Sequence, residues 1–317
     1  MGIVRTAVCV LSAMIGAGFA SGREVMQFFS QYGAFSWVLC VLFGAETGML
    51  CRAVIREDRD GTEKWLLAPL YLCTAAGMIA AAGDLWALTV PLYGARTLGA
   101  AGTLALCFLA RKRPFAALNA LGRGLIALLL LMILLCFGVP AEGADMDTAQ
   151  EEKLSALLRM LGYGGLNAAL SAHILREGTR DQTAKQKAVL PVVIGGGAFL
   201  LLAMENGALL RHPELKNAAL PTVMLLRGLG KAGYYLSALL LYLAAGTTLI
   251  SCLSGFNKMM KDQWVPVLVY ALSLIGFSGI VEKFYPLLGF LFLLRLLMKK
   301  ARPPETRLMG NHASSEY

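Results

Sequence analysis

The stretch Met14–Phe29 reads MIGAGFASGREVMQFF. An apolar run meets Gly16, Gly18 and Gly22, then the adjacent pair Arg23–Glu24, then apolar residues again. Only ten residues separate Arg5 from Gly16, too few to cross a bilayer as one helix. Ser21-Gly22-Arg23-Glu24 matches the capping-box pattern S-x-x-E, in which Ser21 caps a new helix and Glu24 reaches back to its start. Glycines at these positions make a local break cheap. The stretch therefore reads as two half-helices joined by bare backbone. At membrane depth such backbone is tolerated only where it is buried in protein or lines a cavity. Broken helices of this kind hold solutes and ions, with half-helix N-termini facing anions and freed carbonyls facing cations. The competing reading makes Thr6–Gly22 a short complete span, Arg23–Glu24 its outer loop and Val25–Ala45 the next helix. Against it stands QYGAFSW at 31–37, which has the composition of a turn with an interfacial aromatic.

The rest of the chain supports a membrane setting. Of 317 residues 57% are hydrophobic and 15% charged, against about 25% charged in a soluble domain. Mean hydropathy is +0.63. Ten spans are expected, near residues 4–30, 33–55, 65–82, 93–110, 117–139, 154–175, 188–204, 233–256, 264–280 and 284–298. They form a single transmembrane domain over 1–300, followed by a polar, disordered cytoplasmic tail over 301–317. No cleavable signal peptide is apparent. The net charge of +9 is explained by loops rather than by a nucleic-acid partner. Arg52, Arg56, Arg59 and Lys64 fall in one set of loops with Arg111–Arg113, Arg176–Lys187, Lys258, Lys261 and Lys299–Arg302. The opposite set holds the uncharged SQYGAFS and the acidic PAEGADMDTAQEE. The positive-inside rule then puts both termini in the cytoplasm. The basic stretch 211–231 resists that count and reads as a short helix over the outer surface. The seven cysteines lie in apolar segments without C-x-x-C spacing, so no metal site or disulfide framework is expected.

The sixth span contains LGYGGLNAAL, a second glycine cluster at Gly162, Gly164 and Gly165 followed by the polar Asn167. Breaks in spans one and six are the pattern of two five-helix repeats in inverted orientation, here about 4–139 and 154–298. Close packing through small residues is the other reading of the same glycines.

At IGAGFASGREVMQFFSQYG the sequence resembles the YkvI family of bacterial membrane proteins, relatives of the amino acid–polyamine–organocation superfamily. YPLLGF at 285–290 and TTLISCLSGF at 247–256 are similar to the same family. The resemblance implies a bacterial cell-membrane protein with a LeuT-type all-α fold: ten transmembrane helices in two inverted five-helix repeats, helices one and six broken. It also implies transport of an amino acid or related solute, with Na⁺ or H⁺ as coupling ion and no other cofactor. A sodium site in that fold would take carbonyls near Ala17–Ala20 and hydroxyls of Thr247, Thr248 or Ser251. Those hydroxyls could equally bond their own helix.

Ionisable groups inside spans are expensive and therefore functional candidates. Glu24 reads as a cap or as a proton-sensitive gate paired with Arg23, and Glu46 as half of a structural pair or as a proton carrier. Asp84 and Glu205 stand near span ends, where solvation is cheap. Arg123 reads as snorkelling to the surface, and His173 as solvated. No catalytic motif stands out, so an enzyme is not expected. The resulting expectation is a cation-coupled carrier of a small zwitterion or carboxylate. Its solute would rest on Gly18, Phe19, Ala20, Ser21, Gly22, Tyr163, Gly164, Gly165 and Asn167, with partners limited to that solute and the bilayer. The alternative is a ligand sensor of the same fold, related to spore-germination nutrient receptors.

Overall fold

The computed structural model describes residues 2–56, 63–90, 92–110, 114–141, 150–218, 220–259, 265–274, 287–296 and 298. The proposed tail at 301–317 lies outside them. The described residues are helical, with no strand among them. The chain opens with α1 (Ile3–Met14), α2 (Ala17–Ala20) and α3 (Arg23–Phe28), then a 3-10 turn over Ser30–Phe35 and α4 (Ser36–Arg56). It continues with α5 (Glu63–Thr89), α6 (Ala95–Ala110), α7 (Pro114–Phe137), α8 (Gln150–Thr179) and α9 (Ala184–Leu209). A 3-10 turn at Pro213–Asn217 and the short α10 (Pro221–Arg227) precede α11 (Gly230–Met259) and α12 (Val265–Ser273). An apolar helix, α13, covers Leu287–Leu296. Helices therefore fall on all ten expected spans, the ninth and tenth being described only in part.

Among the described residues, five segments are long and apolar enough to cross a membrane: Ser30–Arg56, Trp65–Ala87, Pro114–Phe137, Ala184–Leu209 and Gly230–Met259. Their outward faces carry residues such as Trp37, Val41, Leu134, Val192, Leu200 and Leu239 in exposed positions. An apolar surface of that kind suits lipid rather than water.

Two groups of helices share the interior. In one, α1 packs on α8 and α9, and α4 lies along both α8 and α9. In the other, α5 packs on α6, α11 and α12. α7 and α11 both touch α1, so the first crossing lies where the groups meet.

The local chemistry of the helix starts is mixed. Thr183 and Gln186 form a true capping box at α9: Gln186 N donates to Thr183 Oγ1 at 3.3 Å and Thr183 N donates to Gln186 Oε1 at 3.0 Å. The box expected at Ser21 and Glu24 does not form. Gly22 occupies the N-cap position of α3 with φ +76, a left-handed conformation that glycine adopts at no steric cost. Glu24 turns away from the helix start towards α8.

Candidate functional site

The first crossing is broken twice. α1 runs for 12 residues, about 18 Å at 1.5 Å per residue, well short of a bilayer core. Ile15 leaves helical geometry with ψ 82, and Gly16 is extended with φ −81 and ψ 178. One turn of helix follows as α2, then Gly22 redirects the chain into α3. The carbonyls at the end of α1 have no helical turn ahead of them to accept from.

Those carbonyls find their donors on α11. Thr247 Oγ1 donates to Ser12 O at 3.0 Å, and Thr248 Oγ1 donates to Ala13 O at 3.2 Å and is 3.5 Å from Ile15 O. Thr247 also lies 3.1 Å from Ala244 O on its own helix, so its hydroxyl is shared between the two readings of the sequence. The carbonyls differ from those expected: they come from Ser12, Ala13 and Ile15, one turn before Ala17–Ala20. Ser251 does not join them, since its hydroxyl donates to Leu170 O of α8 at 3.3 Å. Three carbonyls and two hydroxyls thus converge, an all-oxygen set of the type a hard monovalent or divalent cation prefers.

Beside the break a small cavity is lined by Leu11, Met14, Phe19, Phe43, Tyr163 and Asn167, among others. Tyr163 stacks on Phe28 with ring centroids 4.8 Å apart and on Phe43 at 5.4 Å, with Phe29 edge-on at 5.9 Å. Such pairs contribute about 0.5–1.5 kcal/mol each beyond their buried area. The Tyr163 hydroxyl donates to Glu24 Oε2 at 2.7 Å, tying α3 to α8. Asn167 faces the cavity while its Nδ2 donates to Tyr163 O at 2.9 Å.

The second expected break is absent. α8 is one continuous helix of 30 residues through Gly162, Gly164 and Gly165. The glycines serve close approach instead. A Cβ on Gly165 would lie 2.3 Å from Gly289 O of α13, and one on Gly289 would lie 1.9 Å from Gly162 O. A Cβ on Gly164 would meet Glu46 Oε2 at 2.1 Å. Gly164 and Gly165 therefore bare no backbone to a solute, and the packing reading of this cluster is the correct one.

The remaining expected residues sort as follows. Gly18 is pressed against the Glu24 carboxyl, where an added Cβ would lie 2.1 Å from Oε1. Phe19 lines the cavity and Ala17 and Ala20 are buried beside it. Ser21 Oγ donates to Gly18 O at 3.0 Å, and Ser21 O accepts from Thr222 N at 2.9 Å. Arg23 does not pair with Glu24; its Nη1 donates to Ala218 O at 3.1 Å. Asp84 pairs with Arg96 at 2.9 Å on the exposed surface. Arg123 is exposed with Nε on Asn119 O at 3.2 Å, in keeping with snorkelling. His173 is buried rather than solvated, its Nε2 lying 3.2 Å from Ser254 Oγ.

Sequence reasoning missed a cluster on α9. Glu205, discounted as a solvated span end, is 1% exposed and accepts from Thr222 Oγ1 at 3.3 Å. Its neighbour Asn206 accepts from Ser30 and donates to Ser36, each at 2.9 Å, clamping α9 to the turn after the broken crossing. The signal was available in the polar pair Glu205–Asn206 set in an otherwise apolar run.

The chain is similar to a known membrane protein. Over 92% of its length and 94% of the relative it is 22% identical to the uncharacterised membrane protein YkvI of Bacillus subtilis (strain 168). The likeness to YkvI thus spans nearly the whole length of both chains. No family model matches the chain. A crystal structure of a manganese transporter from Eremococcus coleocola, in complex with an aromatic bis-isothiourea substituted compound, aligns with a TM-score of 0.46. That alignment covers 99% of this chain and 72% of the other at 14% identity.

Proposed function

We propose that the chain is a cation-coupled secondary transporter of a small zwitterion or carboxylate, an amino acid or a close relative, working by alternating access in a bacterial cell membrane. The observation that carries the reading is the interrupted first crossing, whose freed carbonyls meet the Thr247 and Thr248 hydroxyls beside a cavity. Bare main chain at membrane depth is costly unless it serves a site. The cavity's apolar lining with Asn167 suits a solute with a small apolar portion and one polar end. Phe19 of the broken crossing and Tyr163 of α8 line that space, and Gly18, Ala20, Ser21 and Gly22 belong to the same crossing. The convergent oxygens fit a Na⁺ ion in exchange for the two hydroxyl hydrogen bonds; a proton is the other coupling ion. Pairing of α4 with α9 and of α5 with α11 supports two inverted repeats of five helices, these helices being counterparts in such an arrangement.

Both ends of the broken crossing are closed. At one end Thr6 Oγ1 donates to Gly178 O at 3.3 Å and accepts from Gln182 Nε2 at 3.0 Å. At the other, Thr222 and Ala218 hold Ser21 and Arg23. Alternating access consists of releasing one set of contacts while the other stays closed, with the Thr6 end and both chain termini facing the cytoplasm.

The test is uptake by purified protein in liposomes under an imposed Na⁺ or H⁺ gradient, using a panel of amino acids and small carboxylates. Gradient-dependent flux of at least one solute is expected. Absence of any such flux across the panel overturns the reading, and binding without flux would mark a sensor instead.

A further inference from the structure

Three carboxyls are buried around the broken crossing, and one of them stands apart. Glu24 accepts from the Tyr163 hydroxyl, and Glu205 accepts from the Thr222 hydroxyl. Glu46, midway along α4 and 5% exposed, has no hydrogen-bond donor on either oxygen among the described residues. It lies against Gly164 of α8, the glycine next to Tyr163, and the missing Cβ there is what leaves room for the carboxyl. Among the described residues no lysine, arginine or histidine nitrogen forms an ion pair with it within 4.0 Å.

The elements packed on α4 are α8, α9 and the 3-10 turn before it. Their buried titratable groups are Tyr163 and His173 on α8, Glu205 on α9 and Tyr32 on the turn. Tyr163 is engaged by Glu24, His173 by Ser254 and Glu205 by Thr222. Tyr32 has a contact of its own. On α4 itself the basic residues, Arg52 and Arg56, belong to its last turns. None of these described groups compensates a negative charge at Glu46, and an uncompensated carboxylate at membrane depth is among the most expensive groups a protein can bury.

We infer that Glu46 is a proton-binding site and that its proton is the coupling ion. The Thr247–Thr248 oxygen set is already satisfied by its own hydrogen bonds, whereas Glu46 is left without any, so the unmet demand lies at the carboxyl. The seams that hold it are smooth. Gly44 and Gly195 meet backbone to backbone, with a Cβ on Gly195 falling 2.5 Å from Gly44 O, and Gly48 faces Pro191 O. Glycine-lined seams allow α4 to shift against α8 and α9, and such a shift exposes the Glu46 carboxyl to water for exchange of its proton. Coupling rests on the transporter reading above; proton binding does not, and it is tested without any solute.

The probe is dicyclohexylcarbodiimide, which modifies protonated carboxyls in apolar surroundings. Full-length protein in liposomes is treated across a range of pH, and the modified residue is located by peptide mass spectrometry. Label on Glu46 is expected at acid and neutral pH, falling on the alkaline side by about tenfold per pH unit past its midpoint. Glu46→Gln removes the label and Glu46→Asp retains it. No label on wild-type Glu46 at any pH overturns the proposal, and so does a label unchanged to high pH, which would mean a fixed neutral acid. Once a solute is found, Glu46→Gln should lose acceleration by a pH gradient while keeping binding. Sodium-driven flux untouched by that substitution would overturn the coupling claim and leave the transporter reading standing. An empty uptake screen with a pH-dependent label would do the reverse.

Discussion

One glycine cluster lies along α1–α3 and another on α8, and the chain does opposite things at them. At Gly16–Gly22 the helix stops, extends and starts again. At Gly162–Gly165 it runs on without interruption. Both clusters lower the cost of leaving helical geometry, so glycine content does not distinguish them. The difference lies in the partners. Carbonyls freed at Ser12 and Ala13 are met by two threonine hydroxyls, and Ser21 O is met by Thr222 N. Around Gly162–Gly165 the groups that approach are the Gly289 backbone and the Glu46 carboxyl, and α8 keeps its own helical hydrogen bonds throughout. A glycine run permits a break at membrane depth; a donor waiting on another helix is what makes it.

The harshest way to break this comparison is to overfill the second cluster. Gly165→Leu should drive a side chain into the Gly289 backbone and destabilise the protein by about 3 kcal/mol or more. Loss of the monodisperse peak in detergent would report it. If the variant folds normally, the packing role assigned to that cluster is wrong.

Removing the donors at the first cluster comes next. The double change Thr247→Ala and Thr248→Ala leaves buried carbonyls unmet, at about 1–3 kcal/mol for each. A lowered melting temperature is expected, with loss of any sodium effect on it. Unchanged stability would mean the break does not depend on α11.

Gly22→Ala places a Cβ on a left-handed residue, costing about 1–2 kcal/mol, and that Cβ would lie 2.5 Å from Thr222 Oγ1. The contacts holding residues 218–222 over the break should loosen, read as faster proteolysis or hydrogen exchange there. Gly18→Leu drives a side chain into the buried Glu24 carboxyl, 2.1 Å from the added Cβ, and should destabilise the protein as well as abolish solute binding. Normal binding by a folded Gly18→Leu protein would move the solute site elsewhere.

The smallest effect lies past the membrane-spanning part of α8, where Lys258 reaches Glu177. The hydrogen bond from the Lys258 ammonium holds the Glu177 carboxyl below the usual glutamate range. A group lowered in the folded state contributes stability above its unfolded value and loses it as pH falls through the folded one. The melting difference between wild type and Lys258→Met should therefore be present at neutral pH and vanish in acid. A difference that persists in acid would assign it to packing of the lysine stem.

Much of the fold was legible because hydrocarbon imposes long apolar runs, and the segments read from hydropathy coincide with helices wherever their residues are described. The first break was legible for the same reason: ten residues cannot span, so the chain had to do something at Gly16. Glu24 was read as a cap because S-x-x-E is a local pattern, yet a tyrosine 139 positions away claimed its carboxyl. Glu205 was discounted by its distance from the span centre, which ignores what folds over it. The short α10 does fold over it, and Thr222 supplies the donor.

Sequence by itself determined that this chain is a multi-pass membrane protein built of helices and that its first apolar run is interrupted. Those follow from local composition, since backbone groups in lipid must be satisfied within the segment or else diverted to a purpose. Tertiary structure decided which glycines part the backbone and which let helices touch, and which buried carboxyl is left without a partner. Each of those depends on what stands opposite, and what stands opposite comes from residues far away in the chain.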